Sequence, residues 1–308
     1  MNSTDRPWIS LLAGVACTAT VIGCASATNL DRHDAKEMPV TRAEPTGHHA
    51  SINGLRQYYE LHGEAGGTPL VLLHGGMRSA LLLRDLAGEL AIGRQVIAID
   101  LQGHGRTADI DRPLRFELMA DDVAALIAYL GHARADVMGY SLGGGVALRA
   151  AIQHPERVRR LVVVATAFSK RAWYPEVAAA LGQISGAIAV HLKASREYQT
   201  YIETAPRPDD FPRLLDKMGE MLARDYDWSA EVATITAPTL AVYGDHDAVP
   251  PAQMARMFEL LGGGQRDAGF DGSGISKARL AILPGFTHYD VLDAPALPGT
   301  VRLFLDAR

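Results

Sequence analysis

The chain has 308 residues, 48% of them hydrophobic, and a formal net charge of −5 at pH 7. This length and apolar content allow one sizeable α/β domain with a modest insertion. The mild acidity and the lack of a Lys/Arg cluster argue against nucleic acid as a partner. Both cysteines, Cys17 and Cys24, precede residue 30. The rest of the chain therefore offers no disulfide framework and no cysteine metal site.

Residues 1–27 have the pattern of an export signal. The apolar run Trp8–Gly23 has 16 residues, which is short for a transmembrane helix and fits the core of a signal peptide. Val21-Ile22-Gly23-Cys24 resembles a bacterial lipobox, in which the cysteine becomes the lipidated N-terminus. Ala25-Ser26-Ala27 suits an ordinary signal peptidase instead. The sequence predicts export, either as a lipoprotein tethered to the membrane through Cys24 or as a soluble periplasmic or secreted protein, and an uncleaved N-terminus is the third alternative.

Residues 28–50 are polar, rich in His, Asp and Arg, and without apolar periodicity. This composition predicts a flexible tether before a domain that spans residues 51–308. His48 and His49 could bind a metal weakly, but no further ligands stand at metal spacing. We therefore expect a solvated linker here and no metal site in the protein.

Short apolar runs that alternate with helical patterns follow the tether. Continuous apolar runs of this kind are typical of strands buried on both faces of a parallel sheet. An edge strand is predicted over residues 54–62, and buried strands over 69–73, 95–100, 136–140, 158–164, 238–243 and 278–283. Helices are predicted over 116–130, from 142 to about 153, and over 298–307. The fold class is α/β, with a mostly parallel central sheet and helices on both faces.

The alternation stops between about residues 169 and 236. This stretch is helical in composition, carries Trp173, Tyr174, Tyr198 and Trp228, and is punctuated by prolines. Because the sheet resumes afterwards, we interpret the stretch as a helical insertion that forms a small cap over the strand ends, rather than as ordinary surface helices.

One motif stands between a strand and a helix, Gly139-Tyr140-Ser141-Leu142-Gly143. It matches G-x-S-x-G, in which a sharp turn exposes a serine at the end of a strand and the glycines remove side chains that would collide. The turn also directs backbone N–H groups of the new helix at the serine oxygen. We interpret Ser141 as a nucleophile.

A serine hydroxyl needs a base within hydrogen-bond reach, and imidazole suits this role because its pKa is near neutrality. A carboxylate must then hold the imidazole in the right tautomer. His288 follows the last strand, and Asp245 and Asp247 both follow the strand before it. Each residue stands at the carboxyl end of a parallel strand, the edge where α/β active sites form. The order Ser, Asp, His predicts a Ser-His-Asp triad.

The chain resembles the α/β-hydrolase superfamily. The resemblance is carried by Ser141 in its motif and by His74-Gly75-Gly76, Gly244-Asp245-His246-Asp247 and Pro284-Gly285-Phe286-Thr287-His288. It implies that Asp247, not Asp245, is the acid. It also implies an oxyanion hole formed by the N–H groups of Leu142 and of Met77 or Gly76.

The resemblance is to bacterial hydrolases that include esterases, lactonases and enol-lactonases. It implies a serine hydrolase that cleaves a small-molecule carboxylic ester or lactone through an acyl-enzyme, without a cofactor. Peptidase, C–C hydrolase and perhydrolase chemistry remain alternatives because all can use this triad, as does a ligand-binding member of the fold with little turnover. Haloalkane dehalogenases use aspartate as the nucleophile, so Ser141 argues against them, and it disfavours epoxide hydrolases for the same reason.

Overall fold

The computed structural model describes residues 44–307. The predicted export signal, Cys24 as a lipidation site and most of the predicted tether lie outside the described residues and stay predictions. Within 44–307, no helix has both the length and the apolar character needed to cross a membrane.

The described residues form an eight-stranded sheet in the order β1-β2-β4-β3-β5-β6-β7-β8. The β1–β2 and β2–β4 pairs are antiparallel and all the others are parallel. The parallel strands therefore end at one edge, as α/β active sites require. The strands are β1 (Thr46–Ile52), β2 (Leu55–His62), β3 (Leu70–Leu73), β4 (Val96–Ile99), β5 (Ala135–Tyr140), β6 (Val158–Val164), β7 (Thr239–His246) and β8 (Ala278–Thr287).

Helices cover both faces of the sheet, which confirms the predicted fold class. The α-helices are α1 (Arg84–Leu90), α2 (Phe116–Tyr129), α3 (Leu142–Gln153), α4 (Pro175–Leu181), α5 (Arg196–Thr204), α6 (Phe211–Ala223), α7 (Ser229–Val232), α8 (Pro251–Leu260) and α9 (Ala296–Asp306). Short 3-10 helices cover Ala80–Leu83, Lys170–Ala172, Gly186–Leu192, Pro208–Asp210 and Val291–Asp293. Side chains of α1 and α9 pack on one face, and those of α2, α3 and α8 pack on the other.

The first strand corrects the predicted end of the tether. Thr46–Ile52 pairs antiparallel with β2, so the segment predicted to be flexible is ordered from Thr46 onward. The rings of His48 and His49 pack against two tyrosines of β2. The prediction rested on polar composition, which does not register backbone pairing or ring stacking. The predicted edge strand is β2, but it lies between β1 and β4, so β1 is the edge strand instead.

The segment between β6 and β7 holds α4 to α7 and is called the helical insertion below. Its longest helix, α6, is tied to the loop after β4 through Lys217. The ammonium group lies 2.6 Å from Oδ2 of the buried Asp109 and 2.8 Å from the carbonyl oxygens of Ile110 and Arg112. Arg213 also pairs with Asp109 at 3.0 Å. These bonds fix one end of the helical insertion against the carboxyl edge of the sheet.

Candidate active site

Ser141 sits in the strained turn between β5 and α3. Its φ of 52° and ψ of −115° lie outside the regions that L-residues ordinarily adopt. The turn is so tight that a Cβ at Gly139 would lie 2.1 Å from the carbonyl oxygen of Gly143. A Cβ at Gly143 would lie 2.4 Å from the carbonyl oxygen of His74. Both glycines are therefore required by space.

Three side chains from three strand ends form one chain of hydrogen bonds. Ser141 Oγ lies 3.0 Å from Nε2 of His288, and His288 Nδ1 lies 3.0 Å from Oδ1 of Asp247. An ionised carboxylate only accepts hydrogen bonds, so Nδ1 carries the ring proton and Nε2 is left to accept from the serine hydroxyl. This arrangement allows the imidazole to remove the hydroxyl proton when the oxygen attacks an electrophile.

The two candidate aspartates have different surroundings. The carboxylate of Asp247 is fully buried and also accepts hydrogen bonds from the backbone N–H groups of Val249 and Gly244. Asp245 is exposed, and its carboxylate accepts from the N–H of Gly285 and contacts His246 instead. Asp247 is therefore the carboxylate that the fold brings to His288.

Neighbouring hydroxyl groups hold the turn and the histidine loop in place. The Tyr140 hydroxyl donates to the backbone carbonyl of His288 at 2.7 Å. The Thr166 hydroxyl, just beyond β6, lies 3.1 Å from the carbonyl oxygen of Ser141. The hydroxyl of Tyr243 donates in turn to the carbonyl of Thr166 at 2.9 Å. The strained serine is thus supported from two adjoining strands.

The predicted oxyanion donors border the same space as Ser141. Gly76, Met77 and Leu142 all line the cavity next to the serine. Leu142 is the first residue of α3, so its N–H has no acceptor within the helix. Met77 has a φ of 59°, and among the described residues no hydrogen bond uses its N–H. The free N–H groups are the kind of donor that stabilises a developing oxyanion.

Buried polar groups support the loop that carries Met77. His74 Nδ1 lies 2.7 Å from the carbonyl oxygen of Gly75, and Nε2 accepts from the N–H of Leu101 at 3.1 Å. Burial lowers the pKa of His74 well below its ordinary value, which keeps the ring neutral. Asp100 accepts the N–H of Ala80 at 2.7 Å, just beyond the same loop. Burial raises the pKa of Asp100 to about 6.

A cavity of about 680 Å³ opens beside Ser141 and His288. Its walls come from the sheet edge on one side and from the helical insertion on the other. The insertion contributes mainly apolar side chains, including Trp173, Val177, Leu181, Ile184, Met218 and Leu222. A cavity with apolar walls and a few convergent polar groups is the usual form of a small-molecule site.

Comparison with known proteins shows the family of this chain. A family model described as alpha/beta hydrolase fold matches residues 68–189. The chain is 33% identical over 202 residues to a pimeloyl-(acyl-carrier protein) methyl ester esterase of Neisseria meningitidis, and the match covers 59% of this chain and 77% of that protein. The chain belongs to the α/β-hydrolase family.

Two further proteins show how far the similarity extends. This chain is 40% identical over 126 residues to the dihydrolipoyllysine-residue acetyltransferase component of an acetoin cleaving system of Pseudomonas putida. That match covers 40% of this chain but only 33% of the other protein. An enol-lactonase from Burkholderia xenovorans superposes with a TM-score of 0.62 at 24% identity, over 84% of this chain and 100% of that one. This superposition shows a shared fold.

Several residues of the hydrolase site were not found from the sequence. Arg78 and Glu197 line the cavity and form an ion pair, with 3.5 Å between Nε and Oε1. Thr166 lines it as well and supports Ser141. Arg78 could have been found because it directly follows Met77. Glu197 lies on the helical insertion, and its distance in sequence from Arg78 gave no signal.

No group of three or more His, Cys, Asp or Glu side chains within 44–307 is arranged to hold a metal ion. His104 is buried and does not line the cavity, and its Nδ1 lies 2.9 Å from the carbonyl oxygen of Gln102. His246 is exposed and contacts Asp245.

Proposed function

We propose that the protein is a serine hydrolase that cleaves a carboxylic ester or lactone through an acyl-enzyme intermediate. The observation that carries the proposal is the unbroken chain of hydrogen bonds from Asp247 through His288 to Ser141, which opens onto a cavity of about 680 Å³. The relative from Neisseria meningitidis is named a methyl ester esterase, which supports an ester as the substrate class.

In the first half of the reaction, His288 Nε2 takes the hydroxyl proton while Ser141 Oγ attacks the carbonyl carbon. The N–H groups of Leu142 and Met77 donate hydrogen bonds to the oxygen of the tetrahedral oxyanion. As the carbonyl reforms, the bond to the alcohol oxygen breaks and His288 gives that oxygen its proton. Asp247 stays ionised and stabilises the charged imidazole.

In the second half, a water molecule takes the place of the alcohol. His288 removes one proton of the water, and its oxygen attacks the acyl carbon bound to Ser141. The bond to the serine oxygen breaks, the proton returns to Oγ, and the free acid leaves. A lactone follows the same steps, except that the alcohol and the acid remain in one molecule.

The apolar wall points to a substrate with an apolar portion of moderate size. Burial of apolar surface contributes roughly 25 cal/mol per Å², so an alkyl or aryl group packed against Trp173, Leu181 and Met218 gains affinity that a short acetyl group lacks. We also propose that the helical insertion acts as a cap that keeps water from this portion of the cavity.

The test combines covalent labelling with turnover. A fluorophosphonate probe should label the purified protein at Ser141, and Ser141→Ala should abolish the label and lower p-nitrophenyl ester turnover by roughly 10⁴-fold or more, because the covalent route is lost. Ser273→Ala, in an exposed loop, is the matched control and should keep both.

Two results oppose the proposal. Unchanged turnover in Ser141→Ala would show that another group performs the chemistry. A folded protein that binds esters but is neither labelled nor active would instead be a ligand-binding member of the fold.

A further inference from the structure

The cationic side of the active-site cavity is not used by the proposed mechanism. Among the described residues that line the cavity, Arg78 and Arg196 are the guanidinium groups and Glu197 is the carboxylate. These three side chains together carry a charge of +1, although the whole chain has a net charge of −5. The surplus positive charge lies within the same cavity as Ser141.

The guanidinium of Arg78 is oriented but not saturated. Its Nη2 lies 3.2 Å from the carbonyl oxygen of Tyr289, and its plane lies over the ring of Tyr140, 5.2 Å from the centroid. Its Nε lies 3.5 Å from Glu197, longer than the roughly 2.7–2.9 Å of a charge-assisted hydrogen bond. A guanidinium has five N–H donors, so Arg78 keeps donors for a ligand.

Arg196 opens α5 beside Glu197 and is exposed. None of the ion pairs found within residues 44–307 includes Arg196, so no carboxylate holds its guanidinium in a direct contact. Arg78, Arg196 and Glu197 also border a second cleft of about 290 Å³. The guanidinium groups therefore stand where the cavity meets this cleft.

The charges of the two spaces differ. The second cleft is also lined by the carboxylates Asp85, Glu89 and Asp293. In the cleft the two guanidinium groups stand among four carboxylates, Glu197 included, whereas on the cavity side an anion meets the same two guanidinium groups and one carboxylate. The favourable position for an anion is thus inside the active-site cavity, next to the oxyanion loop, with Arg78 exchanging its loose contact with Glu197 for the ligand.

From this wall we infer that the substrate is an anionic ester, with a carboxylate that Arg78 and Arg196 bind while the apolar insertion wall holds its hydrocarbon portion. This inference rests on the proposed function and narrows its substrate class. It makes Arg78 and Arg196 residues that determine specificity, and it makes Glu197 a competitor of the substrate for the same cations.

Three methyl esters with the same five methylene groups isolate the charge. They are methyl heptanoate, monomethyl pimelate and methyl 6-aminohexanoate, which end in a methyl group, a carboxylate and an ammonium group. A second series carries the same three end groups on the alcohol portion of an acetate ester. Its members are hexyl acetate, 6-acetoxyhexanoate and 5-aminopentyl acetate. In at least one series, the anionic ester should have a kcat/KM at least 10-fold above that of its neutral counterpart.

Variants should change this ratio in opposite directions. Arg196→Gln and Arg78→Gln should lower the anionic-to-neutral ratio of kcat/KM by about 10-fold, and Glu197→Gln should raise it by about 3- to 10-fold. A loss of folding or general activity moves both substrates together and cannot produce opposite shifts. Arg224→Gln removes the same charge from an exposed site away from the cavity and should leave the ratio unchanged.

The inference is overturned if the neutral or the ammonium ester is preferred in both series. It is also overturned if none of the three cavity variants changes the anionic-to-neutral ratio of kcat/KM. In these cases turnover of the neutral esters still supports the ester hydrolase proposal. If no ester is hydrolysed, p-nitrophenyl acetate included, the proposed function itself fails and the inference fails with it.

Discussion

The cavity has two walls that are held by different forces. On the sheet side, Ser141 and His288 are placed by strand ends, by a turn that tolerates only glycine at two positions, and by hydrogen bonds of 3.0 Å. On the side of the helical insertion, apolar side chains line a cavity of about 680 Å³. The sheet wall therefore fixes atoms that react, and the insertion wall fixes only shape and charge.

The helical insertion itself is attached unequally. At α6, Lys217 has three acceptors within 2.8 Å, one of them the carboxylate of the buried Asp109. At α5, Glu197 meets Arg78 at 3.5 Å with both side chains partly exposed. A partly exposed pair of this length contributes little to stability, whereas removal of a largely buried ammonium group would leave a buried carboxylate without its partner at a considerable cost. We expect the α5 end to be the part of the insertion that moves more easily.

The largest effect should come from the sheet wall, where Asp247→Asn leaves the geometry intact but removes the charge that fixes the tautomer of His288. We expect kcat to fall by roughly 10⁴-fold, as it does when the corresponding aspartate of a serine protease is replaced. Asp245→Asn is the matched control and should change kcat by less than about 5-fold, since an amide oxygen can still accept from Gly285. Steady-state kinetics on one ester measures both.

Equal losses in the two variants would place the acid elsewhere and remove the distinction between the buried and the exposed carboxylate. The assignment would then have to be sought among other side chains near His288.

The two walls also differ in how far the sequence predicted them. The position of Ser141 follows from local constraints: a strand, two glycines and a helix start leave one conformation. His288 and Asp247 follow because parallel strands end at one edge. The residues that directly follow the strands therefore predict the members of the site, even though Ser141 and His288 are far apart in sequence.

The insertion wall depends on contacts between helices that have no such constraint. Nothing in the sequence indicates that Glu197 meets Arg78, because the pairing depends on the length and angle of α5. Lys217 was likewise not distinguished from surface lysines, since its acceptors are two backbone carbonyls and one carboxylate on a distant loop. The tether boundary was missed for a related reason: Thr46–Ile52 gains order from backbone pairing with β2, not from its own composition.

The second-largest effect should be on stability, and it tests whether Lys217 attaches the helical insertion to the rest of the domain. Lys217→Met should lower the free energy of unfolding by about 3 kcal/mol, because it leaves the buried Asp109 with less compensation and two carbonyls without a donor. Lys193→Met, on an exposed turn of the insertion, should change it by less than about 0.5 kcal/mol. Urea denaturation gives both values.

If Lys217→Met is as stable as the wild type, α6 is not an anchor and the two ends of the insertion are equivalent. If Lys217→Met lowers stability while kcat on a small ester stays within a few fold of the wild-type value, the result supports the division between a sheet wall that reacts and an insertion wall that gives the cavity its shape.

A smaller effect should appear in the pH dependence of stability. Burial raises the pKa of Asp100 to about 6, above its ordinary value near 3.9. Between these values the folded protein keeps a proton that the unfolded chain has released, so a rise in pH through this range lowers the free energy of unfolding. We expect the wild type to lose about 1–2 kcal/mol relative to Asp100→Asn between pH 4.5 and 6.5.

Denaturation curves at four pH values across that range measure the difference. A difference that is constant with pH would mean that Asp100 is already ionised at the lowest pH. In that case Asp100 would accept the hydrogen bond from the N–H of Ala80 as a charged carboxylate at every pH in the range.

The smallest effect concerns the bond between the sheet wall and the histidine loop. Tyr140→Phe keeps the ring that packs on His288 and removes only the hydroxyl that donates to the His288 carbonyl at 2.7 Å. One neutral hydrogen bond contributes about 1 kcal/mol, so kcat should fall by about 5-fold while KM stays nearly constant, because the hydroxyl positions the base and does not hold the substrate. Tyr129→Phe, on the exposed end of α2, is the control and should match the wild type. A change in KM alone would instead mean that this hydroxyl acts on the substrate, which would move Tyr140 from the reactive wall to the group of residues that select the ligand.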